Sequence, residues 1–279
     1  MHKIFISSLF LATALLSTEI DSFTQRDPYM EDSLAELNQM AQTYFDEAIV
    51  KANAAGSCER STFEDAFHSI TTGGAIFWDR IELDIEKSDT MDRRTLAKKD
   101  SIYRDINFIE GPILQVGQLG FLLRIGDLYI GSDKFGHFYD TGYEYYKKSS
   151  LEDAMSYGEM TERTYFGLTS TAVYSYADLA ANLDGYRFWT RLTQGKDAYA
   201  MCENNIWKQQ NSFTWTDHIS AAWDEGYNCN SYRNDHVTYS VATRIIALGF
   251  NCPVPLGRCL EMIDRYEELS SHVVTAQCF

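Results

Sequence analysis

Basic residues, prolines and long apolar runs are all scarce in this chain. Lys and Arg total 24 against 40 Asp and Glu, for a formal net charge of −16. Nucleic acids and anionic membranes are gripped by basic patches, so neither is expected as a partner. An acidic surface favours a cationic ligand, and it also serves plain solubility. Only four prolines occur, and no Gly/Ser/Pro linker, internal repeat or low-complexity stretch divides the chain. One mainly helical domain over residues 23–279 is expected. After residue 16 no apolar run approaches a membrane span. Gly-x-Ser-x-Gly, P-loop, Rossmann and His-Glu-x-x-His signatures are missing, and nothing points to haem. This removes the reactions that those motifs support, and no cofactor or metal is expected.

Met1–Leu16 reads as the start of an export leader. Lys3 supplies the positive end, and Ile4–Leu16 is an apolar stretch too short to span a bilayer. Cleavage is expected between Ser17 and Ser22, so residues 1–22 bound the leader and the protein is secreted or periplasmic. The cysteines agree: Cys58, Cys202, Cys229, Cys252, Cys259 and Cys278 form an even set, as in exported disulfide proteins. Five of the six follow residue 200, so the C-terminal third should be the stapled part. Cys252 and Cys259 look like the ends of one closed loop. Their spacing fits neither a zinc ribbon nor a redox pair.

Periodicity predicts a helix over Asp32–Ala55, ended by Gly56, and another over Thr62–Ile70 capped by Ser61. Phe77–Lys87 fits both a helix (Trp78, Ile81, Ile85) and a strand (Ile81, Leu83, Ile85), the helix being preferred. Asp89–Asp105 is polar and reads as a loop with a helical turn. Phe121–Ile130 reads as a hairpin turning at Gly126-Asp127. Ser132 should cap a helix over Asp133–Lys148. Ser149 with Glu152, and Ser175 with Asp178, read as capping boxes for helices Leu151–Thr164 and Tyr176–Leu192. Between these two helices, Phe166–Tyr174 should be extended. Helices near Asp217–Glu225, His236–Leu248 and Leu256–Leu269 complete the pattern.

Two groups of residues could carry chemistry. In Ser132-Asp-Lys-Phe-Gly-His-Phe-Tyr-Asp140, residues Asp133, His137 and Asp140, with Glu144 beyond, fall within about 60° of one helix face. Together with Lys134 they suit a buried hydrogen-bond network, a substrate contact or, less readily, a metal. The second group centres on Glu162, near the end of its helix. Tyr157, Tyr165 and Phe166 flank it and could form the apolar walls that keep a carboxyl protonated. Glu159 competes for this role but sits about 60° further round the helix. Aromatics make up 14% of the chain, and Tyr139, Tyr143, Tyr145, Tyr146, Tyr186 and Trp189 flank these motifs. Such rings stack on sugars, and at helical spacing they also build cores.

Glu162, Gly167-Leu168, Tyr174 and Ala177-Asp-Leu-Ala-Ala-Asn182-Leu-Asp-Gly185-Tyr186 together resemble the lysozyme and lytic transglycosylase superfamily. The likeness covers about 30 residues, and the chain departs from it at Arg163 and Thr169-Ser170. The resemblance implies a lysozyme-like helical domain with a small β-hairpin element. It places Glu162 as general acid and matches Asn182, Gly185 and Tyr186 to the later element. Tyr174 could then face Glu162 and stabilise positive charge, with Asp178 the next carboxylate downstream. Ser-Asp-Lys-x-x-His-Phe with Ser-Tyr-Ala-Asp-Leu-Ala-Ala-Asn is also similar to a group of exported bacterial proteins. Among these, deacetylation-specific lysozymes of predatory bacteria cut peptidoglycan whose glucosamines lack N-acetyl groups. That glycan is polycationic, which an acidic enzyme suits. The alternatives are a non-catalytic envelope protein that binds glycan or protein, and a metal-dependent hydrolase centred on His137.

Overall fold

The computed structural model describes residues 19–72, 79–116, 119–253, 255 and 257–279. Helices dominate, and among these residues no helix is long and apolar enough to cross a membrane. Helix α1 (Leu34–Ala55) buries Leu37, Ala41, Tyr44, Phe45 and Ala48 on one stripe and ends at Gly56, whose φ of +66° gives a left-handed stop. It packs on α2 (Arg60–Thr71). That helix begins before Ser61, so Ser61 is its second residue rather than its cap. Helix α3 (Arg80–Lys87) confirms the helical choice there by burying Ile81 and Ile85; Phe77 and Trp78 lie outside the described residues. The polar stretch after α3 carries strand β1 (Arg93–Arg94), and α4 (Pro112–Val116) precedes the hairpin.

Strands β2 (Leu122–Ile125) and β3 (Leu128–Gly131) form the expected hairpin. Gly126 takes φ +62° in its turn, and β1 extends the sheet in the order β1-β2-β3. The next helical run has three parts: α5 (Asp133–Gly136), a π-helical turn (His137–Thr141) and α6 (Gly142–Tyr146). Ser132 does not cap α5 through its side chain; its hydroxyl accepts the Phe121 N–H instead.

Helix α7 (Leu151–Arg163) and helix α8 (Tyr176–Arg191) frame the Glu162 region. Ser150, not Ser149, caps α7 by accepting from the Asp153 N–H, and acids fill the first turn with Arg163 in the last, as the helix dipole favours. Ser175 caps α8 by accepting from the Asp178 N–H. Nearly all of α8 is buried, from Ala177 through Gly185 and again at Phe188 and Trp189, as expected of a central helix. Gly142 and Gly185 let α6 and α8 cross at backbone contact. A Cβ on Gly185 would meet the Phe138 carbonyl oxygen at 2.1 Å.

Most of Phe166–Tyr174 is not extended. Phe166 N–H bonds to Thr161 O, Leu168 N–H to Glu162 O and Thr171 N–H to Gly167 O, coiling the segment until β4 (Val173–Tyr174). The hydroxyls of Thr169, Ser170 and Thr171 bond to nearby carbonyls, which competes with strand pairing. The β5–β6 hairpin (Ala200–Glu203, Ile206–Gln209) follows α8, and β7 (Ser231–Tyr232) pairs with β4. The helix expected over Asp217–Glu225 is replaced by short 3₁₀ turns at Trp215–Asp217 and Ala221–Trp223. Asp224 is drawn inward there, because it accepts from Arg26 and from the N–H groups of Tyr129 and Gly226. Helices α9 (Asp235–Ala247), α10 (Arg258–Tyr266) and α11 (Ser270–Val273) end the chain.

The core is aromatic. Phe45, Phe67, Phe138, Tyr139, Phe188 and Trp215 are fully enclosed and meet edge-on or tilted, with Phe45–Phe67 centroids 4.7 Å apart and Phe138–Phe188 5.0 Å apart. The rings flanking the motifs belong here: Tyr139, Tyr143, Tyr145 and Trp189 are buried, and Tyr146 and Tyr186 pack partly buried against them.

The six cysteines form three disulfides, Cys58–Cys202, Cys229–Cys252 and Cys259–Cys278, the pairing expected of an oxidising compartment. The expected Cys252–Cys259 loop is not made, and one bridge ties the N-terminal helices to the β5–β6 hairpin rather than stapling the C-terminal third. Residues 1–18 of the expected leader lie outside the described residues. Glu19–Ser22 are buried and structural: Asp21 accepts from the Phe23 and Ile102 N–H groups, and the Ile20 carbonyl accepts from the Tyr103 hydroxyl. A cut just after Ser17 would preserve these contacts, whereas one after Ser22 would remove them.

Candidate active site

Glu162 stands one residue before the end of α7, and only 3% of it is exposed. Its Oε2 accepts the Ser175 N–H at 3.2 Å. The reciprocal acid at the start of α8 is therefore Glu162, reaching across from another helix, and not Asp178. Asp178 caps nothing with its own carboxylate and is free to turn toward α5.

There it meets two cations. Lys134 is buried, with Nζ 2.6 Å from Asp178 Oδ1, 2.8 Å from Asp133 Oδ2 and 2.7 Å from Glu225 Oε1. His137 Nε2 lies 3.2 Å from Asp178 Oδ2, and its Nδ1 lies 3.0 Å from Asn182 Oδ1. Asn182 in turn donates Nδ2 to the Tyr145 hydroxyl, which fits the notch left by Gly158. That orientation makes Asn182 Oδ1 an acceptor, so His137 Nδ1 carries a proton and Nε2 faces the carboxylate.

These contacts set the protonation states. Burial, then the nearby Asp178 charge, push the Glu162 carboxyl up to about 8, against the opposing pull of His137, the Ser175 N–H and Lys134. Burial would also raise Asp178, but His137 and Lys134 outweigh it and hold Asp178 below the usual carboxylate range. Burial alone would lower His137; pairing with Asp178, backed by Asp133 and Glu162, lifts it to about 10. Burial raises Glu225 to about 7 despite Lys134. At neutral pH the centre thus holds a protonated Glu162 beside an ionised Asp178, with Lys134 and His137 both charged. Glu82 and Asp79 lie against Gly136 of α5, where a Cβ would sit 2.1 Å and 2.6 Å from their oxygens. Burial raises both carboxyls, with the Asp140 charge adding to the effect on Asp79 and the Asp79 and Asp133 charges adding to that on Glu82.

Of the residues singled out by sequence, Asp133, Lys134, His137, Glu162, Asp178 and Asn182 come together. Asp140 and Glu144 do not. The π-helical turn inserts an extra residue after His137 and rotates the later residues away. Asp140 pairs with His68 at 3.1 Å and is half exposed, and Glu144 pairs with Lys147 at the surface. Tyr186 packs against the core. Tyr174 is buried under the Arg163 guanidinium and edge-on to Tyr176, and among the described residues its hydroxyl has no hydrogen bond to Glu162. Glu159 points away, to His272 and Arg163. Glu225 and Asp79 were not legible in the sequence, since neither shares a motif with Lys134 or His137.

Asp133, His137 and Asp178 each offer a ligand atom within 4.8 Å of the others, a spacing that could hold a metal ion. The Lys134 ammonium already lies against both carboxylates and supplies the charge that an ion would bring. The expected result for purified protein is no stoichiometric metal by elemental analysis. Bound zinc lost together with activity on chelation would overturn this. His137→Ala should lower stability by about 1–3 kcal/mol, the cost of orphaning buried partners, as read by denaturant melts.

No family model, curated protein or solved structure matches this chain.

Proposed function

We propose that this protein is an exported glycoside hydrolase of lysozyme-like type, acting on peptidoglycan or a related amino-sugar glycan. The observation that carries this reading is the Glu162–Asp178 pair: two neighbouring carboxyls whose surroundings drive their protonation apart. A carboxyl held protonated at neutral pH beside a fixed carboxylate is what glycoside cleavage requires of its general acid.

In the proposed reaction Glu162 gives its proton to the glycosidic oxygen as the bond from that oxygen to the anomeric carbon breaks. The new Glu162 carboxylate is met by the Ser175 N–H and by the charges of His137 and Lys134. Water adds to the anomeric carbon, and its proton returns to Glu162. Asp178, locked by two cations, keeps Glu162 protonated in the resting state. Just past Glu162, the Tyr165 and Phe166 rings are 53% and 60% exposed with centroids 4.7 Å apart, a surface on which a sugar face can stack. The three disulfides agree with export.

The net charge of −16 favours a glycan carrying free amines. Peptidoglycan sacculi, native and chemically N-deacetylated, provide the test, with solubilised fragments as the readout. Deacetylated sacculi should dissolve faster, and that advantage should shrink as salt rises from about 20 to 300 mM, because screening shortens the reach of surface charge. If neither substrate releases fragments, the protein belongs with glycan- or protein-binding envelope proteins.

A further inference from the structure

A recess that Glu162 does not line lies between α9 and the segment joining Cys229 to β7. Its volume is about 410 Å³, within the range of small-ligand sites, about 300–1,000 Å³. No charged residue lines it among the described residues, which is unusual in a chain of net charge −16. Its polar lining residues are Asn230, Ser231, Tyr232, Thr238, Asn251 and Gln277. Ala242, Ile245 and Ile246 of α9 form its apolar wall, with Ile246 64% exposed.

We propose that this recess is a binding site for a neutral, N-acetylated sugar unit. Amide and hydroxyl groups can exchange hydrogen bonds with an acetamido group and ring hydroxyls, and the isoleucine wall can take the methyl group and the apolar ring face. An ammonium or carboxylate would find no counter-charge there and would lose its hydration. The uncharged lining therefore differs in kind from the charged centre around Glu162.

The recess is wired to that centre. Asn230 donates Nδ2 to Glu225 Oε2 at 3.0 Å, and Glu225 Oε1 takes the Lys134 ammonium, which also holds Asp178. Ser231 lies opposite Tyr174 in the β4–β7 pairing, and its hydroxyl reaches the Tyr176 hydroxyl at 3.4 Å. A sugar bound here therefore rests on the same ribbon that carries Tyr174. Naming the ligand as a sugar rests on the glycan reading above, whereas the preference for an uncharged ligand rests on the lining alone.

The test titrates full-length Glu162→Gln protein with the trimer of N-acetylglucosamine and, separately, with the trimer of glucosamine, followed by amide NMR shifts. Saturable binding of the acetylated trimer is expected, with the largest shifts at Ser231, Thr238 and Asn251, and with at least tenfold weaker binding of the amine form. Ala242 and Thr238 are exposed on α9, so Ala242→Trp and Thr238→Phe should fill the recess without disturbing the core. Each should weaken binding at least tenfold. Absence of saturable binding, equal affinity for the two trimers, shifts confined to residues near Glu162, or unchanged affinity in both filled variants would overturn the proposal. Since binding is read in a variant expected to be inactive, a wild-type protein that never cleaves glycan would remove the hydrolase reading while leaving this result standing.

Discussion

Glu162→Gln is expected to lower glycan turnover by about 10²–10⁴-fold, the usual contribution of a positioned general acid. The amide keeps the shape of the protonated acid and can still accept the Ser175 N–H. The thermal midpoint should therefore stay nearly unchanged, and the loss should fall on kcat more than on KM. Tyr174→Phe should reduce turnover less, because the Tyr174 hydroxyl makes no hydrogen bond to Glu162 among the described residues. The pH profile of the wild type is set by the same carboxyl. With Glu162 pushed up to about 8, kcat/KM should fall as pH rises above about 8, and the midpoint will belong to the coupled group of Glu162, Asp178 and His137. Stability should move in the same direction. The folded values of Glu162 and His137, about 8 and about 10, both lie above their unfolded values. Their contributions are full below about pH 4.5 and 6.5 and are lost as pH climbs through about 8 and 10. Asp178 acts oppositely, losing its contribution only in strong acid. Full activity in Glu162→Gln would end the lysozyme reading.

Lys134→Met should be the most damaging single change to stability, by about 3–5 kcal/mol, as found when one partner of a buried ion pair is removed. Lys134 is 1% exposed and touches Asp133, Asp178 and Glu225 at once. Without the ammonium, three carboxyls share a site with His137 as the nearby cation. The deficit should grow as pH rises above 7, because Glu225, no longer held down by Lys134, then loses its proton and adds a stranded charge. Adding Glu225→Gln to the same chain should recover part of the loss, and a double-mutant cycle would report the coupling. A loss below about 1 kcal/mol, the scale of an exposed pair, would show that the centre is not the closed network described here.

What the sequence made legible divides along physical lines. Local signals worked where the chain interacts with itself over a few residues. Gly126 turns the β2–β3 hairpin, Ser175 caps α8, and Gly56 stops α1. The same kind of signal misplaced the α7 cap by one residue, because Ser149 and Ser150 both stand before that helix. Contacts between distant segments left no local trace. Lys134 and Glu225 are 91 residues apart, and the sequence around Glu225 resembles any helical stretch until Asp224 is seen bonding to Arg26 and Tyr129. The π-helical turn was equally hidden. A uniform helix puts Asp133, His137, Asp140 and Glu144 on one face, and the extra residue after His137 splits that set in two. Asp178 was legible as a cap, but its side chain was released for ion pairing because Glu162 took its expected place at the Ser175 N–H. The site became visible only through that exchange.

Glu162 itself offers the most direct measurement. Its side-chain carboxyl can be followed by ¹³C NMR in labelled protein and assigned by difference from Glu162→Gln, across pH 4 to 10. The account predicts a carboxyl that remains protonated at pH 7 and titrates with a midpoint near 8. A midpoint between about 4 and 5, that of an ordinary glutamate, would mean that Glu162 is ionised at neutral pH and cannot be the proton donor.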